Sequence, residues 1–260
     1  MNLKYRFSII IATYNADSYI RRALTRVIEN VKDIPCELII IDGGSTDSTV
    51  EIIKEFSNYI HYWISEPDRG IYDAWNKGVR QATADWIMFL GADDQLLSGA
   101  LNKYSLFIDS QKNLEDLLFI SSRMQMIDFD NKPIRIKGWA WEWPKFLKET
   151  TIAHPGSLHS KKLFEKYGLF DTNYRSAGDF ELLIRPKDQL NAAFMNEVTV
   201  IMQEGGISDG VIGIKEHCEA AIKTGGYSPL LAYQNAMWVY FKFKIRTTLR
   251  KYGINAYLKK

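Results

Sequence analysis

The chain has 260 residues, 46% hydrophobic and 25% charged, the balance of an ordinary folded protein and not of a disordered one. No window approaches the roughly 18 uninterrupted apolar residues that a spanning helix needs, and the opening MNLKYRFSIII enters a strand pattern too directly for a signal peptide. The net charge of +2 is uneven: residues 242–260 carry seven basic and no acidic side chains, which leaves −5 for residues 1–241 and reads as an electrostatic anchor more than a nucleic-acid groove.

Residues 7–12 are a continuous apolar run, as expected of a strand covered on both faces. Ile20, Ala23, Leu24, Val27, Ile28 and Val31 then recur at helical spacing, with Asp17 or Ser18 available as cap. Residues 37–41 read as a second buried strand, followed by a helix that Ser48 and Glu51 open with capping-box spacing. Residues 60–64 form a third strand. Ile71, Ala74, Trp75, Gly78, Val79 and Ala82 line the inner face of a third helix, on which Asn76 and Lys77 are expected at the surface. Residues 86–90 are the fourth strand. This alternation implies right-handed crossovers and an α/β fold, a Rossmann-like, mostly parallel sheet flanked by helices.

The second half is less regular. The pattern predicts a helix over 98–110, strands over 117–121 and 124–128, and a turn at Asp130-Asn131-Lys132-Pro133 leading into 134–136. A short helix over 160–167 closes at Gly168, and another opens near Asp179. With no linker and no repeat, one domain is expected over 1–230, followed by a basic amphipathic tail over 231–260. Cys36 and Cys218 lie far apart without ligand-like spacing, so a reduced, cytoplasmic setting is expected.

In doubly wound sheets ligands sit beyond the carboxyl ends of the strands. Asn15, Asp42, Asp68 and Asp93 each follow one of the four strands. Asp93 and Asp94 are adjacent acids beside an apolar strand, where like charges are costly. Neighbouring aspartates also serve as turn formers or helix caps. Four polar groups at four equivalent ends favour a divalent cation, because Mg²⁺ or Mn²⁺ takes one or two carboxylates and completes its shell with phosphate oxygens and water.

The stretches FSIIIATYNADSYI, ELIIIDGGSTDSTVEII, SEPDRGIYDAWNKGV, DWIMFLGADDQL and YRSAGDFELLIR stand in the order seen in family 2 glycosyltransferases of the GT-A fold. The chain resembles the bacterial members that build surface polysaccharide, O-antigen among them, and lipid-linked glycans. The resemblance covers roughly residues 5–190 and implies an inverting, metal-dependent transfer of a hexose or N-acetylhexosamine from a nucleotide sugar, UDP-linked foremost. It implies a nucleotide-sugar half over 1–97 and an acceptor half over 98–230. It also implies that Thr13, Tyr14 and Asn15 shape the base pocket, that Asp42 contacts base or ribose, and that Asp68 and Arg69 lie near the nucleotide or its phosphates. Asp93 falls on the last position of the DXD motif, the metal ligand. Gly91 replaces the first acid, so a ribose contact is lost or is supplied by Asp94, and Gly43 stands where many relatives have a second acid.

An acceptor hydroxyl is a poor nucleophile, so a carboxylate must take its proton as the new bond forms. The resemblance assigns that base to AGDFELLIR: Asp179, with Glu181 as the alternative and Gly178 in place of the usual preceding Glu. Asp179 also suits a helix cap. His154, from IAHPGSLHS, is a candidate acceptor contact, and His217 could complete a metal shell. Trp139, Trp141 and Trp143 suit a sugar-stacking segment or the packing of a short strand.

In the tail, Trp238, Phe241, Ile245, Leu249 and Tyr252 form one helical stripe bordered by Lys242, Arg246 and Arg250, with Lys244 and Lys251 toward the other side. That pattern fits a helix lying on an anionic membrane surface. It suits peripheral attachment at the inner face of the cytoplasmic membrane, beside a polyprenyl-diphosphate-linked acceptor. A helix packed on the domain gives the same pattern. Two rival readings are a sugar nucleotidyltransferase and a non-catalytic nucleotide-sugar or glycan-binding protein. No Gly-rich basic phosphate loop follows the first strand, which disfavours the former.

Overall fold

The computed structural model describes residues 5–32, 34–128, 130–205 and 210–251. Four strands, β1 (Phe7–Thr13), β2 (Cys36–Asp42), β3 (Tyr62–Ser65) and β4 (Trp86–Gly91), alternate with the helices α1 (Asp17–Val31), α2 (Thr49–Glu55) and α3 (Ile71–Gln81). Next come β5 (Gln95–Leu96), α4 (Ala100–Asp109), β6 (Phe119–Ile127), β7 (Pro133–Lys137) and α5 (Trp143–Phe146). The chain continues through β8 (Ala153–Ser160), α6 (Lys161–Tyr167), α7 (Gly178–Ile184), β9 (Ala192–Gln203), α8 (Val211–Lys223) and α9 (Pro229–Lys251). One mixed sheet runs β3-β2-β1-β4-β8-β6-β9-β5, and β7 shares with β8 the edge of β6 that β9 leaves open.

The first four strands are parallel neighbours. Every residue of β1 and β2 is buried, because both faces of the sheet are covered. Ile9 and Ile11 join Ile20, Leu24 and Tyr104 on one face, whereas Ile10 joins Trp75, Val79, Leu163 and Phe180 on the other. Each buried aliphatic side chain contributes about 1.5–3 kcal/mol relative to an exposed one.

Several local expectations are corrected. Neither Asp17 nor Ser18 caps α1; the amides of Ala16 and Asp17 donate to Thr49 Oγ1 and Asp47 Oδ2 of the neighbouring loop. The capping box of α2 does not form, since Asp47 Oδ1 takes the Thr49 amide. The two strands expected over 117–128 are one, β6: buried Ser122 shares a 2.6 Å hydroxyl bond with Thr199 on β9, so the polar stretch does not break the strand. Residues 138–142 are not a strand; Trp141 packs on Phe146, which packs on Phe180 of α7.

The stretch IAHPGSLHS, to which the sequence assigns no element, contains β8. Ile120 pairs with Leu158 and Ser122 with Ala153, so β8 bulges outward over residues 154–157, with Gly156 at φ 77°. Bulges redirect side chains, and this one turns His154 onto Trp75 at 5.1 Å.

Asn76, expected at the surface, is buried. Its amide donates to the Phe170 carbonyl and accepts from the Phe170 N–H, both at 2.9 Å, fastening α3 to the chain that leads into α7. Lys77 is mostly covered and reaches Glu66 at 2.8 Å.

α9 begins beside α5, where Asn235 donates to the Lys148 carbonyl. Leu230, Met237, Trp238 and Phe241 remain exposed along it, and Lys242 and Lys244 lie over the Trp238 and Tyr240 rings at 5.6 and 5.5 Å. Tyr252, Lys259 and Lys260 of the expected tail lie outside the described residues. No described helix is long and apolar enough to cross a membrane.

Asn76→Ala should strand a buried N–H and C=O pair at residue 170. We expect a loss of about 1–3 kcal/mol in stability, measured by chemical denaturation, with the circular dichroism spectrum unchanged.

Candidate active site

Register alone gathers the donor-side residues. Thr13 lies opposite Asp42, Ala12 opposite Gly91, and Asp42 opposite Ser65, so four chain ends leave the sheet along one edge. At about 4.8 Å per strand that row spans about 15 Å. β8 returns antiparallel to β4, with Met88 opposite Leu158, and so carries His154 to the same edge.

Asp42 is fully buried and its carboxylate is occupied. Oδ2 accepts from the Gly44 and Ser45 amides and the Ser65 hydroxyl, and Oδ1 from the Ser45 hydroxyl. Asn15, at φ 47°, accepts the Thr46 amide at 2.8 Å and donates its own amide to Ser45 Oγ. Asn15 therefore ties the β1 loop to the β2 loop, and Asp42 ties the β2 loop to the end of β3. Tyr14 projects beyond them, 63% exposed, and the buried Thr13 hydroxyl has no hydrogen-bond partner. A Cβ at Gly43 would stand 2.6 Å from Asp68 Oδ2 and 3.4 Å from the Tyr14 ring. The missing second acid thus leaves room for Asp68, whose other oxygen accepts the Gly70 amide at 2.8 Å. Arg69 is exposed, 3.7 Å from Asp73.

The acidic pair folds over Gly91. A Cβ there would meet Asp93 Oδ1 at 2.8 Å and Asp94 Oδ2 at 3.3 Å, so the glycine in the DXD motif is the space the two carboxylates use. Asp94 is buried and accepts the Gly91 amide at 2.7 Å; burial, and then the charge of Asp93, push its carboxyl up to about 8. Asp93 is only partly buried. Two hard oxygen donors at a sheet edge fit Mg²⁺ or Mn²⁺ shared with a diphosphate. Among the described residues no group of three or more His, Cys, Asp or Glu side chains is gathered to hold an ion.

Asp179 stands in the first turn of α7, partly buried. Its Oδ1 accepts the Tyr72 hydroxyl at 2.9 Å, and its Oδ2 lies 4.0 Å from His154 Nδ1, beyond hydrogen-bond range. The Tyr72 hydroxyl is held well above its ordinary range by burial and then by the Asp179 charge, so it remains a donor. His217 stacks on Phe180 with ring centroids 3.6 Å apart; burial pushes it down to about 4 against the opposing pull of Asp179. It belongs with Asp179 and is no partner of the acidic pair in the described contacts. His154 is lowered by burial, again opposed by Asp179.

The loop before α7 is fixed from α8, where Glu216 accepts the amides of Arg175, Ser176 and Ala177 at 2.8–3.1 Å. Glu181, the alternative base, is buried in a fork with Arg185 and accepts the Thr224 hydroxyl at 2.9 Å. Arg185 in turn donates to the Tyr167 and Leu169 carbonyls, so Glu181 is a structural tie facing away from Asp179's partners. Among the described residues, buried polar atoms without a hydrogen-bond partner include Nε2 of His154 and of His217, the two imidazoles that act on Asp179, with Nε1 of Trp75 stacked on His154 and Oγ of Ser176 three residues before Asp179. Buried polar groups are ordinarily paired, so these atoms suit a hydroxyl-rich ligand. Tyr72 and Glu216 escaped the sequence reading: Tyr72 lies outside the apolar stripe read for the third helix, and no element is read around Glu216.

The family model for glycosyl transferase family 2 matches residues 8–159. A PGL/p-HBAD biosynthesis glycosyltransferase of Mycobacterium bovis is 30% identical over 216 residues, covering 79% of this chain and 80% of the relative. An uncharacterized glycosyltransferase of Mycobacterium tuberculosis is 28% identical over 180 residues, 68% of this chain and 67% of its own. Among solved structures, residues 1–349 of S. aureus TarS in complex with UDP-GlcNAc superpose with a TM-score of 0.64 at 16% identity, covering 89% of this chain and 70% of that one. A longer TarS chain, of which this chain spans 42%, gives 0.63. A mannosyltransferase from Pyrobaculum calidifontis in complex with GDP-Man and Mn²⁺ also gives 0.63 at 16% identity, over 90% of this chain and 70% of that one. These distant structures share the curled, helix-flanked α/β sheet of the GT-A type. The family match over more than half of the chain, joined to the mycobacterial relative, identifies this protein as a glycosyltransferase of family 2.

Proposed function

We propose that the enzyme transfers a hexose or N-acetylhexosamine, with inversion, from a UDP-sugar to a hydroxyl of a lipid-linked glycan in bacterial surface polysaccharide synthesis. The observation that carries this reading is Asp179: a partly exposed carboxylate with one oxygen held by Tyr72 and the other without a hydrogen bond, amid unpartnered polar groups. Asp179 takes the acceptor proton as the hydroxyl oxygen attacks the anomeric carbon and the diphosphate leaves from the opposite face. Tyr14 and Asp68 surround the base and ribose, Asp42 acts on that pocket through the Gly44–Ser45 loop it holds, Thr13 and Asn15 support it, and Arg69 reaches toward the phosphates. Asp93, with Asp94 beside it, would hold Mn²⁺ or Mg²⁺, and that cation would neutralise charge on the departing diphosphate. Residues 1–97 serve the donor and 98–230 the acceptor, with His154 at the acceptor wall.

Relatives and neighbours support the donor class without fixing the base, since the TarS complex holds UDP-GlcNAc and the mannosyltransferase complex GDP-Man. α9 and the residues after it supply attachment to the inner face of the cytoplasmic membrane. No acidic residue follows Glu219, and exposed Met237, Trp238 and Phe241 lie beside Lys242 and Lys244. Each basic residue near an anionic surface adds about 1 kcal/mol. Nucleic acid is not a partner in this reading.

Mn²⁺ with UDP should raise the melting temperature of the wild type, by an amount equivalent to about 2.7 kcal/mol at a hundredfold excess over Kd. Asp93→Asn should lose the Mn²⁺-dependent part while folding normally; an undiminished shift removes the metal assignment. In a UDP-release assay with candidate UDP-sugars and acceptor glycan, Asp179→Asn should lower kcat by about 10²–10⁴. Near-normal turnover in that variant ends its role as base. Full-length protein should co-sediment with phosphatidylglycerol-containing vesicles at low salt and be released at high salt. If it stays in the supernatant at low salt, membrane attachment is wrong.

A further inference from the structure

We infer that Tyr72 is a positioning residue for the transfer: its hydroxyl fixes the Asp179 carboxylate so that the second oxygen, Oδ2, meets the acceptor hydroxyl. This inference rests on the reading of Asp179 as base.

Tyr72 sits in the first turn of α3, two residues beyond Gly70, and is 4% exposed. Its ring is immobilised by Trp75 and Phe170, each with centroids 5.5 Å away. The hydroxyl reaches Asp179 Oδ1 at 2.9 Å, while Asp179 Oδ2 lies 4.0 Å from His154 Nδ1 and accepts no hydrogen bond among the described residues. The two oxygens of one carboxylate are therefore distinguished: one is tied to the fold and the other is available. A carboxylate with both oxygens unbound could rotate about its Cβ–Cγ bond, and misplacement of a reacting group by about 1 Å can cost about 10²-fold in rate.

Gly178 fits this role. A Cβ at that position would stand 2.9 Å from Cδ2 and Cε2 of the Tyr72 ring, closer than side chains pack. The acid that the family pattern would set before Asp179 is absent where the tyrosine ring lies, so the departure at 178 and the aromatic residue at 72 are complementary in volume. The same turn of α3 also holds the donor-side loop, because Asp73 accepts the Arg69 amide at 3.2 Å and faces its guanidinium at 3.7 Å. One helical turn thus sets the loop after β3 and the carboxylate on α7 relative to each other. Neighbours of the Tyr72–Asp179 pair from other elements are His154 on β8 and His217 on α8.

The test is steady-state kinetics on full-length Tyr72→Phe, Gly178→Ala and the double variant, measured by UDP release with Mn²⁺ and acceptor glycan fixed while the UDP-sugar concentration is varied through KM. Tyr72→Phe keeps the ring and removes only the donor. It should lower kcat by about 10–100-fold, as loss of an orienting hydrogen bond does elsewhere, with the donor KM unchanged. Gly178→Ala pushes against the ring and should lower kcat in the same way. The double variant should be no slower than the slower single one, because both changes disturb one contact.

Wild-type kcat in Tyr72→Phe overturns the positioning role, as does a rise in donor KM accompanying any loss of kcat, which marks a general distortion of the site. Multiplicative losses in the double variant overturn the link to Gly178. Asp179→Asn, run alongside, separates the two claims: if it abolishes transfer while Tyr72→Phe keeps the wild-type kcat, the base stands and the positioning role falls. If Asp179→Asn transfers normally, the base assignment falls first.

Discussion

A strand packed on both faces can offer polar side chains to a ligand only at its ends. In this enzyme β1, β2 and β4 are buried along nearly their whole length, with helices on both faces of the sheet. Their parallel register brings Thr13, Asp42 and Gly91 to one edge. Everything that can act on a charged ligand is concentrated there because the rest of the sheet has no room for it. The same packing sets the cost of the site: acids at that edge border an apolar interior, and burial raises the Asp94 carboxyl accordingly.

The surroundings of Asp179 are assembled differently, by tertiary ties and not by strand register. β8 bulges to lay His154 against Trp75, Asn76 fastens α3 to residue 170, Tyr72 reaches Asp179, and Glu216 clasps the amides that lead into α7. Each tie joins residues distant in the chain, and Glu181 with Arg185 anchors the opposite face of α7. Asp179 is therefore held on a short helix fastened from α3 and α8, whereas the donor loops are mostly held by backbone-proximal turns. The donor edge uses hydrogen bonds within and between adjacent loops, Asn15 to Thr46 and Asp42 to Ser45 among them.

That contrast explains what could be read from the sequence. The first four strands and three helices are written in local hydrophobic spacing, and α6 closes at Gly168 with φ 82° as its glycine suggests. β8 escaped because Pro155 and Gly156 signal a loop, although here they form the bulge of a paired strand. The sequence splits β6 at Ser122 and Arg123, which look like a break until Thr199 is placed opposite. β9 and α8 gave no clear local signal. Asn76 was assigned to the surface by its angle on the helix, a rule blind to a backbone elsewhere that needs partners. Tyr72 and Asp179 are 107 residues apart, and nothing local marks either as the other's partner.

The two acidic centres end in opposite electrostatic states, and the difference follows from their neighbours. Asp93 and Asp94 share the space above Gly91, where the Gly91 amide is the donor to the buried member of the pair, so a cation there would relieve the repulsion between them. Asp179 has a phenol donor, two imidazoles nearby and no second carboxylate in direct contact, so one of its oxygens is stabilised without a metal. A pair short of positive charge suits a diphosphate carried with its own cation. A single carboxylate with one oxygen tethered suits a proton that arrives from a neutral hydroxyl. Carboxylates in unlike surroundings take unlike tasks, and in this fold the surroundings are set by one glycine under each: Gly91 making room for a second acid, Gly178 for an aromatic donor.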